Sequence, residues 1–272
     1  METPSPANVR SRVTYRNLDV ALRYEAVSRL MAERWKPGAD VLEVGSGSGG
    51  ITQFLDQRVT GLDVSFSRTA ERGTDWLDPV VGSATEMPLP DDSYDFVLSL
   101  EMLEHLSAAD RERALAEMLR VVRPGGRLIA TFPADAPAAR LDRWLNDAFR
   151  RQRGEDHPWV IEHIREGVPA TRDVVALVER LLGGRGSVRV EKHMAAHVFK
   201  VVHWMYTLEP IWPVTRPLGL YTRPFVRLLF EVLRRWRRGP AYRTILVVDP
   251  SPAAAPTPGA AARSPASGAP RS

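Results

Sequence analysis

Residues 41–50 read Val41-Leu42-Glu43-Val44-Gly45-Ser46-Gly47-Ser48-Gly49-Gly50, a short apolar stretch that holds one carboxylate and runs straight into glycines. Residues 51–56 suit a helix, so the glycines sit where a strand gives way to a helix. Without a Cβ, Gly45 and Gly47 can take positive φ and let the backbone pass close under a ligand. The amides at such a helix start can meet a carboxylate or a phosphate. Gly45, Gly47 and Gly50 also satisfy the spacing G-x-G-x-x-G. By itself the string therefore fits a nicotinamide or flavin site, or a tight turn without a ligand.

The flanks continue the alternation. Val20, Tyr24, Val27 and Met31 recur at helical spacing, so 18–34 predicts an amphipathic helix that Pro37-Gly38 ends. After the turn, 59–63 reads as a second strand, 66–72 as a second helix, 79–82 as a third strand and 94–100 as a fourth. Residues 108–121 predict a helix with Leu115, Met118 and Leu119 inward, and Pro124-Gly125-Gly126 turn the chain into a fifth strand over 127–132. Such a series implies a doubly wound parallel sheet. Past Pro133 the pattern loosens: 137–183 reads as two helices around a loop, 188–193 and 242–249 as strands, and 197–240 as an insertion between them. Residues 1–10 and the Pro/Ala/Ser/Gly-rich 250–272 bury no apolar surface and are expected to be disordered, which leaves 11–249 as a single domain.

Charge separates the possible ligands. A carboxylate at Glu43, two residues before the first glycine, would repel a pyrophosphate. It would suit ammonium and sulfonium groups, the charges of S-adenosylmethionine (SAM). Asp63 lies 18 residues after Gly45, at the end of the second strand, where it can accept bonds from both ribose hydroxyls. That position is common to both cofactor classes and decides nothing between them.

Four segments in order carry a resemblance. VLEVGSGSGG from Val41, GLDVS from Gly61, VGSATEMPLPDDSYDFVLSLEMLEHL from Val81 and LRVVRPGGRLIATFP from Leu119 resemble the successive motifs of class I SAM-dependent methyltransferases of the type-11, small-molecule kind. The resemblance runs over residues 18–132. It implies a Rossmann-like α/β fold with a seven-stranded, mostly parallel sheet whose last strand, 242–249, is antiparallel, and with helical insertions. Position by position it implies Glu43, Gly45, Ser46 and Gly47 at the methionine part of SAM and Asp63 at the ribose. Val64 would lie on the adenine face, Ser83 and Ala84 at the adenine edge, and the Leu100 carbonyl at the SAM amino group. Ser83 departs from the pattern, because the family usually places an acid there, and a hydroxyl makes a weaker, neutral bond.

SAM arrives activated, so such a protein mainly aligns a nucleophile with the methyl–sulfur bond, and a base is needed only when a proton must leave. His105, in EMLEHL just after the fourth strand, is the candidate base; the bland alternative is that it packs the following helix. Glu101 could orient it or face solvent. His157 and His163, within 137–183, could reach the acceptor or lie on a solvated helix edge. A metal site built on them with Asp156 and Glu162 matches no known ligand spacing, so no metal is expected.

The chain has 272 residues, a formal net charge of +4 and no cysteine, which excludes disulfides, zinc–thiolate sites and cysteine nucleophiles. The start METPSPANVRSR has no apolar run, and no long apolar stretch suggests a membrane span, so a cytoplasmic chain is expected. Residues 214–243 hold eight arginines against Glu231, a local +7 that leaves the remainder at −3, unlike a uniformly basic nucleic-acid binder. Within 197–240, aromatic residues and the series Phe225, Leu228, Val232 and Trp236 lie beside arginines. This reads as a cap over a substrate pocket, or as an element lying on an anionic membrane. The expected partner is a small-molecule acceptor, lipid-linked or glycan. A nicotinamide-dependent oxidoreductase and a SAM-binding protein without turnover are the competing readings.

Overall fold

The computed structural model describes residues 18–47, 50–53, 55, 57–66, 76–206, 223–236 and 238–251. In chain order the elements are α1 (Leu18–Ala32), β1 (Val41–Val44), a 3-10 turn (Gly50–Gln53), β2 (Val59–Asp63), β3 (Leu77–Val81) and β4 (Tyr94–Leu100). A second 3-10 turn (Leu103–His105), α2 (Ala108–Val121), β5 (Val122–Pro133), α3 (Asp135–Arg153), α4 (Val160–Glu166) and α5 (Thr171–Leu182) follow. The chain closes with β6 (Gly186–Ala195), α6 (Ala196–Tyr206), α7 (Arg223–Leu233) and β7 (Ala241–Pro250).

The strands form one seven-stranded sheet in the order β3-β2-β1-β4-β5-β7-β6. Strands β1 to β5 pair in parallel, and β7 runs antiparallel between β5 and β6. The expected α/β architecture with a reversed last strand is the one observed. β1 pairs with β2 on one side and with β4 on the other, so the strand order reverses beside it. Open α/β sheets bind ligands at such a switch point, outside the carboxyl ends of the strands.

Both faces of the sheet are covered, which is why the parallel strands read as apolar runs. Leu42, Val44, Val97, Leu128 and Ala130 meet Leu115 and Met118 of α2 and Val174 and Val178 of α5. Val41, Phe96, Leu98 and Ile129 meet Val27, Leu30 and Met31 of α1. A third cluster joins Leu18 and Leu22 of α1 to Leu141 and Leu145 of α3, Phe199 and Val202 of α6, and Phe230 and Leu233 of α7. The described parts of the late insertion, α6 and α7, are thus docked on the body, while 207–222 lie outside the described residues.

Some expectations change. Residues 137–183 hold parts of three helices where two were expected, with Gly154, Gly167 and Gly183 at positive φ just past their ends. The last, α5, packs on the sheet core and belongs to its helix layer. Residues 51–56 carry a 3-10 turn over Gly50–Gln53, and most of 66–72 lies outside the described residues, as do 1–10 and 252–272.

One buried charge network ties the layers together. Arg243 of β7 donates to Asp19 of α1 at 2.9 and 3.0 Å and to Glu101, just past β4, at 2.8 Å. Glu101 has φ 59°, and its other carboxylate oxygen accepts from the Thr131 hydroxyl at 3.0 Å. It therefore neither orients His105 nor faces solvent. A non-glycine residue in the left-handed region needs such over-determination to persist.

Candidate functional site

The glycine turn lies at the carboxyl end of β1, against the carboxyl ends of β2 and β4. Gly45 and Gly47 have φ of +74° and +52°, and the Gly45 amide donates to the Leu62 carbonyl at 2.8 Å. A Cβ at Gly45 would stand 2.7 Å from Met102 Cγ, so only glycine lets the turn lie this close to the chain leaving β4. Ser46 is buried, and its hydroxyl has no hydrogen-bond partner among the described residues.

Glu43 is buried, and its carboxylate reaches across the turn. Ile51 N–H donates to Oε2 at 2.6 Å and the Tyr24 hydroxyl to Oε1 at 3.3 Å. A Cβ on Gly50 would collide with this carboxylate, which accounts for the third glycine. Burial pushes the Glu43 carboxyl up to about 7, against the opposing pull of these two donors. A buried charge on an apolar strand thus stands directly behind the turn.

Asp63, at the end of β2, accepts from Gly47 N–H at 2.8 Å and from Ser65 N–H at 3.2 Å, fixing the turn to the second strand. A carboxylate has acceptor capacity beyond two such bonds. Val64 is 72% exposed. Ser83 Oγ lies 2.8 Å from Thr85 Oγ1 and accepts from Thr85 N–H at 3.2 Å, so two hydroxyls stand together there, with Ala84 between them. Leu100 is buried at the end of β4. The expected cofactor residues thus gather along one edge of the sheet.

The histidines separate into two kinds. His157 Nδ1 accepts from Val160 N–H at 3.4 Å, and its backbone amide donates to Asn146, which makes it part of the joint between α3 and α4. His105 and His163 come together, with ring centroids 5.3 Å apart. His105 Nδ1 pairs with Glu162 Oε2 at 2.9 Å, and His163 Nδ1 with Asp142 Oδ2 at 3.2 Å. Tyr242 donates to the other oxygen of Asp142 at 2.7 Å. Sequence reading missed Asp142, Glu104 and the Glu162 pairing. The only signal for Asp142 was a lone acid among apolar positions of a helix.

The family model described as a methyltransferase domain matches residues 42–130. The chain is 34% identical over 158 residues to the ubiquinone/menaquinone biosynthesis C-methyltransferase UbiE of Paracoccus denitrificans, covering 48% of this chain and 62% of that protein. It is 31% identical over 161 residues to the 2-methyl-6-phytyl-1,4-hydroquinone methyltransferase of Synechocystis, covering 50% of each. The matches thus span about half the length of these curated relatives. Among solved structures, phosphoethanolamine N-methyltransferase 2 of Haemonchus contortus, in complex with S-adenosyl-L-methionine, shares the fold with a TM-score of 0.53 at 14% identity, over 90% of this chain and 59% of that one.

The Glu43 geometry has a testable consequence for stability. A carboxyl raised in the folded state contributes stability that is fully present below its unfolded value and lost as pH rises through about 7. Glu43→Gln keeps the shape and removes the titration. In ligand-free protein it is expected to leave Tm nearly unchanged at pH 5 and to raise it by several degrees at pH 8, read by calorimetric melting. An equal loss of Tm at both pH values would contradict the buried-charge reading.

Proposed function

We propose that the chain is a class I SAM-dependent methyltransferase of the type-11 family and that it transfers the methyl group of SAM in line to a small, lipophilic acceptor. The observation that carries this reading is the buried Glu43 carboxylate behind the turn. Its charge is unfavourable there until a cationic ligand arrives, and the ammonium and sulfonium groups of SAM supply that charge. Ser46 brings an unpartnered hydroxyl to the same turn, and Gly45 and Gly47 leave room above the backbone. In this reading these four residues hold the methionine part, Asp63 the ribose, Val64 the adenine face, Ser83 and Ala84 the adenine edge, and the Leu100 carbonyl the amino group.

His105 is the group proposed to take a proton from a hydroxyl or amine acceptor. Glu162 accepts from Nδ1–H, which leaves Nε2 as the basic nitrogen. A carbon acceptor activated by a neighbouring oxygen would make the same use of it.

A lipophilic acceptor is favoured by the outer face of the late helices. Leu228, Val232 and Trp236, spaced by four residues along and just past α7, are 64%, 49% and 51% exposed. Val201 and Trp204 of α6 are also exposed, and the His197 and Trp236 rings lie 4.5 Å apart. Arg234 and Arg235 beside this stripe both meet Glu231. Two curated relatives are named as methyltransferases of quinone biosynthesis and of a phytyl hydroquinone. No helix among the described residues is long and apolar enough to cross a membrane, so contact would be peripheral.

Titration calorimetry tests the cofactor. SAM and S-adenosylhomocysteine are expected to bind, and NAD and NADH to give no heat. Glu43→Gln is expected to weaken SAM binding by about 1–3 kcal/mol. Binding of NADH, or a SAM affinity indifferent to Glu43→Gln, would overturn these assignments. For the outer face, the protein should sediment with anionic liposomes at low salt and be released as salt rises. Sedimentation that ignores lipid charge would remove the membrane reading.

A further inference from the structure

We infer that Glu104, His105 and His163 form a binding site for one divalent first-row transition-metal cation. One ligand-capable atom from each of the three lies within 4.8 Å of the other two. The 3-10 turn after β4 supplies Glu104 and His105, and α4 supplies His163, 58 residues further on. No sequence spacing reveals such a set, because the fold, not a local motif, closes it.

Two of the three residues carry buried polar atoms without partners among the described residues. Glu104 is 2% exposed, and neither carboxylate oxygen meets a donor from another of the described residues. The Arg111 guanidinium directs Nε and Nη2 to the Leu103 and Leu106 carbonyls at 3.0 Å each. His163 Nε2 is likewise buried without a hydrogen-bond partner among the described residues. Buried polar atoms without partners are costly unless something binds them.

The far sides of the two rings are arranged as metal-binding histidines are. Glu162 takes His105 Nδ1 and Asp142 takes His163 Nδ1, which orients each ring and leaves Nε2 as the lone-pair nitrogen. Asp142 is itself held by the Tyr242 hydroxyl. Two imidazoles and a carboxylate suit zinc, manganese, iron or cobalt; calcium and magnesium prefer oxygen alone. Ligand atoms on one such ion stand roughly 3–3.5 Å apart, so small side-chain rotations from the present spread close the site. Three protein ligands leave positions on the ion for an acceptor oxygen. His105 would then act as a ligand, and the ion would take over its part in preparing that oxygen.

The test uses the full-length protein stripped with a chelator and titrated with Zn²⁺ and with Co²⁺. One equivalent of each is expected to bind, with a rise in Tm and visible absorption bands from Co²⁺. Outer-shell losses commonly cost 10–100-fold in metal affinity, so Glu104→Gln and His163→Gln should each weaken binding by ~100-fold or more. Glu104→Gln is the informative variant. It keeps the volume of a buried carboxyl that accepts from no other described residue, so its metal-free Tm should not fall, while the metal-induced rise disappears. The absence of saturable binding of either ion, or unchanged affinity in both variants, would overturn the site. SAM calorimetry on the stripped protein separates this outcome from a failure of the cofactor reading.

Discussion

The buried guanidinium of Arg243 holds together three elements that are distant in sequence. It takes up Asp19 at the start of α1 and Glu101 just past β4. Removing three such groups from water costs several kcal/mol per ion, so the arrangement persists only because nearly every donor and acceptor is used. Its main effect is on Glu101. Held from one side by Arg243 and from the other by Thr131, that residue keeps a left-handed backbone and turns the chain sharply off the end of β4. Met102 then lies under Gly45, and Glu104 and His105 follow on the 3-10 turn. The reversed strand β7 thereby fixes the glycine turn and the histidine pair at once.

The same edge contrasts two kinds of buried acid. Glu101 is matched by a cation of the chain itself, and the Arg243 charge holds its carboxyl below the usual range despite burial. Glu43 and Glu104 form no ion pair among the described residues, and burial raises the Glu43 carboxyl. A fold selected for stability alone would place apolar groups there. In the proposed reading these two carboxyls, one within β1 and one on the turn after β4, meet cations the chain does not supply: the sulfonium cofactor at Glu43 and a metal ion at Glu104.

Much of this was legible in the sequence, for definite reasons. The glycine turn, the strand ends and α2 were readable because period, turn residues and motif order agreed over residues 41–132. The C-terminal half was harder. Gly154, Gly167 and Gly183 divide it into three helices, but glycine at a helix end and glycine in a loop look alike in one sequence. The partners of the histidines were hidden for another reason. Glu101 stands one helical turn from His105 in sequence and looks like its natural partner, yet Arg243, 142 residues away, captures it. Glu162 and Asp142 come to the histidines through the packing of α3 and α4, which no local pattern encodes.

The central claim is that the edge formed by the ends of β1, β2 and β3 is the seat of a sulfonium cofactor. Amide hydrogen exchange of the full-length protein, with and without saturating S-adenosylhomocysteine, tests it directly. The account predicts slower exchange at 45–47, 63–65 and 83–85, including the Gly47 amide that Asp63 already holds. Unchanged exchange at all three segments, or protection there by NAD instead, would contradict it.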